Sequence, residues 1–301
     1  MPKRENLERR KRLSAKWIML LIGVMSLTQA MAATTPAERV MEKDRPLVIA
    51  HRGYPAIAPE NTLPAFALGK LMGADMVELD YHVTRDGVAV VIHDATLDRT
   101  TDSVAQWGQE EVRLEDKSAL EVSHLDAGSW YDPRYAGTKL PTLEEALNLI
   151  QADGGMCLIE RKGGAPAHIV EFLKDRKLIN QVVLQSFDWD YLKEVHALQP
   201  DQVLWALGPQ KYWEGEKLEK EDRELSPEWI DRALETGARL VVWNQQVNEE
   251  ALEYAHGKGI KIVVYTVNEL EPAQQFLEAG VDGLITNNAG LIWKAMATLK
   301  E

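Results

Sequence analysis

A single cysteine, Cys157, is all that 301 residues contain, so no intramolecular disulfide can staple the fold. Stability has to come from a buried core, which a chain of this size can build unaided. Positive charge is also scarce. Against 47 Asp and Glu stand 34 Lys and Arg, a formal net charge of −13, and so acidic a surface is a poor binder of nucleic acid. The apolar run from Trp17 to Leu27 falls well short of the roughly 20 residues that cross a bilayer. It follows a basic stretch from Lys3 to Lys16 and precedes Ala30-Met31-Ala32, which is the order of a secretory signal peptide with cleavage after Ala32. No cysteine lies near that point, which argues against lipid modification there. Residues 1–32 hold seven basic and two acidic side chains, so their removal takes the net charge from −13 to −18. The expectation is a periplasmic or secreted protein with no stable membrane anchor. Repeats and low-complexity linkers are lacking too, so residues 33–301 are expected to form one domain.

What is present is a series of apolar, β-branched runs: Leu47–Ala50, Met76–Asp80, Cys157–Glu160, Val182–Ser186, Val203–Leu207, Leu240–Trp243, Ile260–Tyr265 and Gly283–Thr286. Amphipathic segments separate them, near 63–72, 143 onward, 167–176, 189–198, 227–236, 249–258, 269–279 and 289–299. Pro64 and Gly73 mark the ends of the first, and Thr142 is a candidate cap for the second. This alternation argues for parallel strands joined by crossover helices. A ninth run, Val88–Ile92, follows Asp80 too closely for a crossover and must return as an antiparallel hairpin. Eight parallel strands remain, the number that closes a (β/α)8 TIM barrel. With the turn centred on Asp86, His93 comes back opposite Leu79, beside Asp80. The stretch 95–141 is too long for an ordinary loop. It is expected to be an inserted segment after the hairpin of the second strand, lying over the mouth and shaping the substrate pocket.

Chemistry gathers at the ends of these runs. Glu78 and Asp80, two apart on a strand, share a face, and Glu160 ends the next barrel strand in the same way. Three converging carboxylates call for a hard cation such as Ca²⁺ or Mg²⁺; the alternative is a solvated rim paired with Arg161 or Lys162. His51 and His93 each follow an apolar strand and arrive beside the same acids, which suits a proton-transfer pair. Arg52 offers a planar fork for phosphate oxygens, and Lys162 adds a point charge on the face of Glu160. Glu60 reads as a partner of Arg52 or a neighbour of the cation, and Asn61 as a capping or orienting residue. His82, His124, His168, His196 and His256 lack convergent partners. Trp205 and Trp243 sit near strand ends and are assigned equally to the mouth and to the core.

Taken together, Ala50-His-Arg-Gly53, Pro59-Glu-Asn-Thr62, Val77-Glu-Leu-Asp80, Thr84-Arg-Asp-Gly87, Ile92-His-Asp94, Asp98-Arg-Thr-Thr101, Leu140-Pro-Thr-Leu-Glu-Glu145, Ile159-Glu-Arg-Lys162 and Tyr265-Thr-Val-Asn268 resemble the glycerophosphodiester phosphodiesterases. The resemblance implies a (β/α)8 barrel that hydrolyses small-molecule glycerophosphodiesters to glycerol 3-phosphate and an alcohol. It implies His51 and His93 as the acid–base pair, Glu78, Asp80 and Glu160 as ligands of a divalent cation, and Arg52 and Lys162 as phosphate contacts. Two positions depart from it: Thr286-Asn287-Asn288 stands where an Asp and often a Pro are usual, and Arg161 replaces a common aliphatic residue. The competing readings are a phospholipase that releases a cyclic phosphate, and a noncatalytic barrel that only binds glycerophosphodiesters.

Overall fold

In the computed structural model, residues 34–299 are described; the signal peptide expected over residues 1–32 lies outside them. Among the described residues the first helix, α1 (Pro36–Met41), occupies what reads in the sequence as a polar lead-in. Strand β1 (Leu47–Ala50) follows, then α2 (Leu63–Leu71), the long strand β2 (Met76–Val83) and its antiparallel return β3 (Ala89–Val91). Beyond the inserted segment come α3 (Leu143–Gln151), β4 (Cys157–Arg161), α4 (Pro166–Asp175), β5 (Val183–Ser186), α5 (Trp189–Leu198) and β6 (Leu204–Leu207). A small hairpin, β7 (Tyr212–Trp213) and β8 (Glu216–Lys217), leads to α6 (Pro227–Leu234). Then β9 (Leu240–Trp243), α7 (Glu249–Gly257), β10 (Lys261–Val264), α8 (Leu270–Glu278), β11 (Gly283–Thr286) and α9 (Ala289–Thr298) follow.

Eight strands run parallel in the order β1-β2-β4-β5-β6-β9-β10-β11, and β11 pairs back onto β1, so the barrel is closed. Within this sheet β3 alone is antiparallel, with Tyr81 opposite Val91 and Val83 opposite Ala89. That is the register a turn centred on Asp86 demands, and the Ile92 N–H donating to the Asp80 carbonyl extends it to the site.

Alternate residues divide each strand between two cores, as the two-residue period requires. Leu47, Ile49, Met76, Leu158, Val183, Trp205, Leu240, Val242, Val263 and Ile285 fill the barrel's interior. Val48, Val77, Leu79, Ile159, Leu184, Val241 and Leu284 face the helices. Ala37 and Val40 of α1 join the inner cluster, so the lead-in is a plug for the N-terminal end of the barrel. Further along the same inward rows the side chains turn polar, from Ile49 to His51, from Met76 to Glu78 and Asp80, and from Leu158 to Glu160. An apolar floor therefore carries a polar mouth.

Both doubtful tryptophans are core, fully buried on opposite sides of the barrel wall: Trp205 inside it, Trp243 among the helices. The expected caps are present. Thr62 accepts from the Ala65 N–H ahead of Pro64, Gly73 ends α2 at φ 74°, and Thr142 forms a reciprocal capping box with Glu145. The inserted segment has its own small core of Leu97, Val112, Leu114, Val122 and Leu125 packed on Val90 and Ile92.

Candidate active site

Parallel pairing places Asp80 beside Glu160, with Glu78 one inward step below, at the C-terminal ends of β2 and β4. One oxygen from each of these three buried carboxylates lies within 4.8 Å of the others. Glu78 accepts from the Arg52 N–H at 2.8 Å through Oε2, while its Oε1 is buried with no hydrogen-bond partner. Asn61 grips Asp80 twice, donating from Nδ2 to Oδ2 at 2.8 Å and accepting the Asp80 N–H at 3.2 Å. Its φ of 57° is a conformation Asn tolerates better than most residues.

Two cations answer the acids. Arg52 Nε stands 3.2 Å from Asp80 Oδ2 while its Nη1 donates to Glu60 at 2.8 Å. Lys162 Nζ lies 3.3 Å from Asp80 Oδ1 and pairs with the Glu160 carboxylate. Glu60 is thus a partner of Arg52, and it also binds Arg99 from the inserted segment. Glu160 is held up at about 7 by burial and by the Asp80 charge, against the pull of Lys162. Burial and the same charge also raise Glu78. At Asp80, burial is outweighed by Lys162 and Arg52, and the carboxyl falls below its usual value. The donor set is hard oxygen, buried, with three oxygens lacking a hydrogen bond, of which Glu78 Oε1 has no ion pair either, and with two carboxyls held away from full ionisation, which fits a divalent cation. The solvated-rim alternative does not fit three side chains with almost no exposure.

His51 and His93 both border a cavity of about 200 Å³, together with Arg52, Glu160, Lys162, Gln185, Phe187, Leu207, Tyr265, Thr266 and Ile285. Burial, followed by the charge of Arg52, lowers His51 to about 4, so the ring is neutral near pH 7. His93 is lowered as well, by burial first. The rings are oriented differently. His51 Nδ1 meets Asn287 Oδ1 at 2.7 Å, whereas His93 Nδ1 meets Asp94 Oδ1 at 2.6 Å. Arg99 holds Asp94, keeping it ionised down to about 2.

The structure thus brings together all seven residues singled out in the sequence. One expectation needs correction: no residue of 95–141 lines the cavity. The segment acts from one step away, through Arg99 and through the Tyr135 hydroxyl, which donates to the Ile57 carbonyl at 2.7 Å. Its own compact core explains why it packs beside the mouth rather than inside it. His82, without an evident partner in the sequence, meets the His93 carbonyl through Nε2 at 3.1 Å. Sequence reasoning overlooked Gln185 and Phe187, and gave no site role to Tyr265 and Asn287. Each continues an inward row, following Val183, Val263 or Ile285 at a spacing of two, and that period is the signal that finds them.

Comparison with known proteins agrees with this geometry. The model of the glycerophosphoryl diester phosphodiesterase family matches residues 51–291. A glycerophosphodiester phosphodiesterase of Bacillus subtilis is 29% identical over 95% of this chain and 98% of its own. One from Caldanaerobacter subterraneus is 32% identical over 80% of this chain and 94% of its own. Among solved structures, an Oleispira antarctica phosphodiesterase in complex with the product sn-glycerol-3-phosphate superposes with a TM-score of 0.73 at 26% identity, covering 85% of this chain and 99% of its own.

Proposed function

Because the chain belongs to the glycerophosphoryl diester phosphodiesterase family, we propose that it hydrolyses glycerophosphodiesters to glycerol 3-phosphate and an alcohol. In this reading His51 and His93 move protons, and Ca²⁺ or Mg²⁺ sits on Glu78, Asp80 and Glu160. The observation that carries it is that two oriented imidazoles border the same small cavity as Glu160, one member of a buried carboxylate triad whose oxygens lie within 4.8 Å of one another.

A cation held by the triad supplies Lewis acidity to the phosphoryl group. The chain's own residues do the rest. Arg52 and Lys162 face the cavity with positive charge for the non-bridging oxygens. One imidazole takes the proton of the attacking oxygen as the new P–O bond forms, the oxygen being that of water in direct hydrolysis or that of the glycerol hydroxyl in a route through a cyclic phosphate that water then opens. The other protonates the departing alkoxide as the bond to the alcohol breaks, so charge does not build up on either oxygen. Phe187, Leu207 and Tyr265 form an apolar wall that excludes water from one side.

The test is release of choline and glycerol 3-phosphate from glycerophosphocholine by purified protein with Ca²⁺ or Mg²⁺, and with chelator. Turnover that needs the cation supports the reading; no release under any metal condition leaves only a binding barrel. Ile57, Trp130, Phe187 and Tyr212 are exposed on segments that follow barrel strands, which favours a second reading in which the mouth accepts an amphiphilic phosphodiester. Comparing lysophosphatidylcholine with glycerophosphocholine, and looking for a cyclic phosphate product, separates the two. Export with cleavage after Ala32 completes the proposal, and the N-terminal sequence of the protein recovered from the periplasm or medium checks it.

A further inference from the structure

His51 and Asn287 meet because the barrel closes. Strand β1 pairs with β11 in a register that sets Ala50 beside Thr286, so the next residues, His51 and Asn287, are neighbours at the mouth. The His51 N–H donates to the Thr286 carbonyl at 2.9 Å, which locks the backbone under the ring. On the partner side, the Asn287 N–H donates to Asn268 Oδ1 at 2.8 Å, and the Ala56 N–H donates to the Asn287 carbonyl at 3.3 Å. Both ends of the 2.7 Å contact between His51 Nδ1 and Asn287 Oδ1 are therefore fixed by backbone.

A carbonyl oxygen only accepts, so the nitrogen facing it must carry the proton. We propose that Asn287 is a positioning residue: its side-chain oxygen holds His51 as the Nδ1–H tautomer, leaving the lone pair on Nε2, so that His51 is the group that accepts the proton of the attacking oxygen, whether of water or of the glycerol hydroxyl. This rests on the reading of His51 as a proton-transfer group. The partner of His93 differs in kind. Asp94 is a carboxylate and stabilises an imidazolium, which suits the histidine that protonates the leaving alkoxide. An amide orients its ring without adding negative charge. The charges that face His51 already include Asp80 from β2, Glu60 from the loop after β1 and Arg52 beside it, with Glu160, Lys162 and His93 bordering the same cavity. A carboxylate at position 287 would shift that balance towards the imidazolium, which cannot act as a base.

The experiment uses ¹⁵N-histidine-labelled protein and long-range ¹H–¹⁵N spectra at pH 7, with the His51 ring identified by its loss in His51→Ala. The expected wild-type spectrum shows His51 protonated at Nδ1 and bare at Nε2. In Asn287→Leu the ring should lose that tautomer, and kcat on glycerophosphocholine should fall about 10- to 100-fold with KM within about twofold. Asn287→Asp should recover the Nδ1–H tautomer and much of kcat, while the acidic limb of its kcat/KM profile moves to higher pH. A wild-type ring protonated at Nε2 overturns the proposal, and so does an Asn287→Leu protein with unchanged tautomer and kcat. Melting curves show whether Asn287→Leu is folded; the wild-type spectrum and Asn287→Asp decide the matter if it is not. If the wild type releases no choline at all, the hydrolase reading fails while the tautomer is still read directly.

Discussion

Replacing Glu78 by Gln should abolish the cation's effect on stability and leave the metal-free protein almost unchanged. Two unit charges 4.8 Å apart repel by about 3.5 kcal/mol at an effective dielectric of 20, and the triad's oxygens are at least that close. Arg52 and Lys162 pair with Asp80 and Glu160 and relieve part of this. Glu78 has only a backbone N–H on one oxygen and nothing on the other. It therefore keeps its proton when no cation is bound, consistent with its raised pKa. Gln is the closest mimic of that protonated carboxyl, so the metal-free melting temperature should move by no more than the equivalent of about 1 kcal/mol. With cation the two proteins part. Ligand at 100 times its dissociation constant stabilises the folded state by about 2.7 kcal/mol, which for a domain of this size is roughly 5–10 °C. Wild type should show that rise in differential scanning fluorimetry with millimolar Ca²⁺ or Mg²⁺, and Glu78→Gln should not. A wild-type melting temperature indifferent to both cations, or a variant that keeps the full rise, would remove Glu78 from the ligand set.

Below about 7 cation affinity should weaken by about a further tenfold for each pH unit, because the ion must then displace the proton Glu160 holds in addition to the one kept by Glu78; calorimetric titrations at pH 6 and pH 8 check it. The sign for stability is opposite. A carboxyl raised from 4.5 to about 7 binds its proton more tightly in the folded state, so its contribution to the metal-free protein declines as pH rises through that window. The thermal gain from cation should accordingly be larger at pH 8 than at pH 6, and equal gains would contradict the assignment. His51→Ala and His93→Ala should each lower kcat by about 10²- to 10⁴-fold with melting temperatures near wild type; wild-type rates in either would refute the proton-transfer pair. Gly53→Ala should destabilise by more than about 2 kcal/mol, since φ is 89° there and an added Cβ would lie 2.5 Å from the Ala65 carbonyl carbon; chemical denaturation measures it.

The β2–β3 hairpin shows why so much of the site could be read from sequence. A four-residue connection permits only one topology, and the two-residue period then converts position into direction: Glu78 and Asp80 inward, His93 delivered beside them. Local rules suffice where the contact is between strands adjacent in the chain. Asn287 is the opposite case. It lies 236 residues from His51, and the two meet only because the last strand closes onto the first. The two-residue period turns it inward after Ile285 but names no partner for it, and its departure from the related sequences reads as peripheral until the closure register is known. That register was nevertheless within reach. A parallel barrel must pair its first and last runs, Leu47–Ala50 and Gly283–Thr286, and aligning two four-residue runs end to end leaves His51 facing Asn287. The inserted segment misled for a different physical reason. Its aromatic residues, Trp107, Trp130 and Tyr131, suggest a pocket lining, but the segment carries enough Leu and Val to bury a core of its own against Val90 and Ile92. Besides the Tyr135 hydroxyl on the Ile57 carbonyl, it contributes one cation, Arg99, that ties Glu60 to Asp94 and so links the groups behind Arg52 and His93. A charged residue inside a long loop carries no sign of which distant acids it will join, and it is there that reading from sequence gives out.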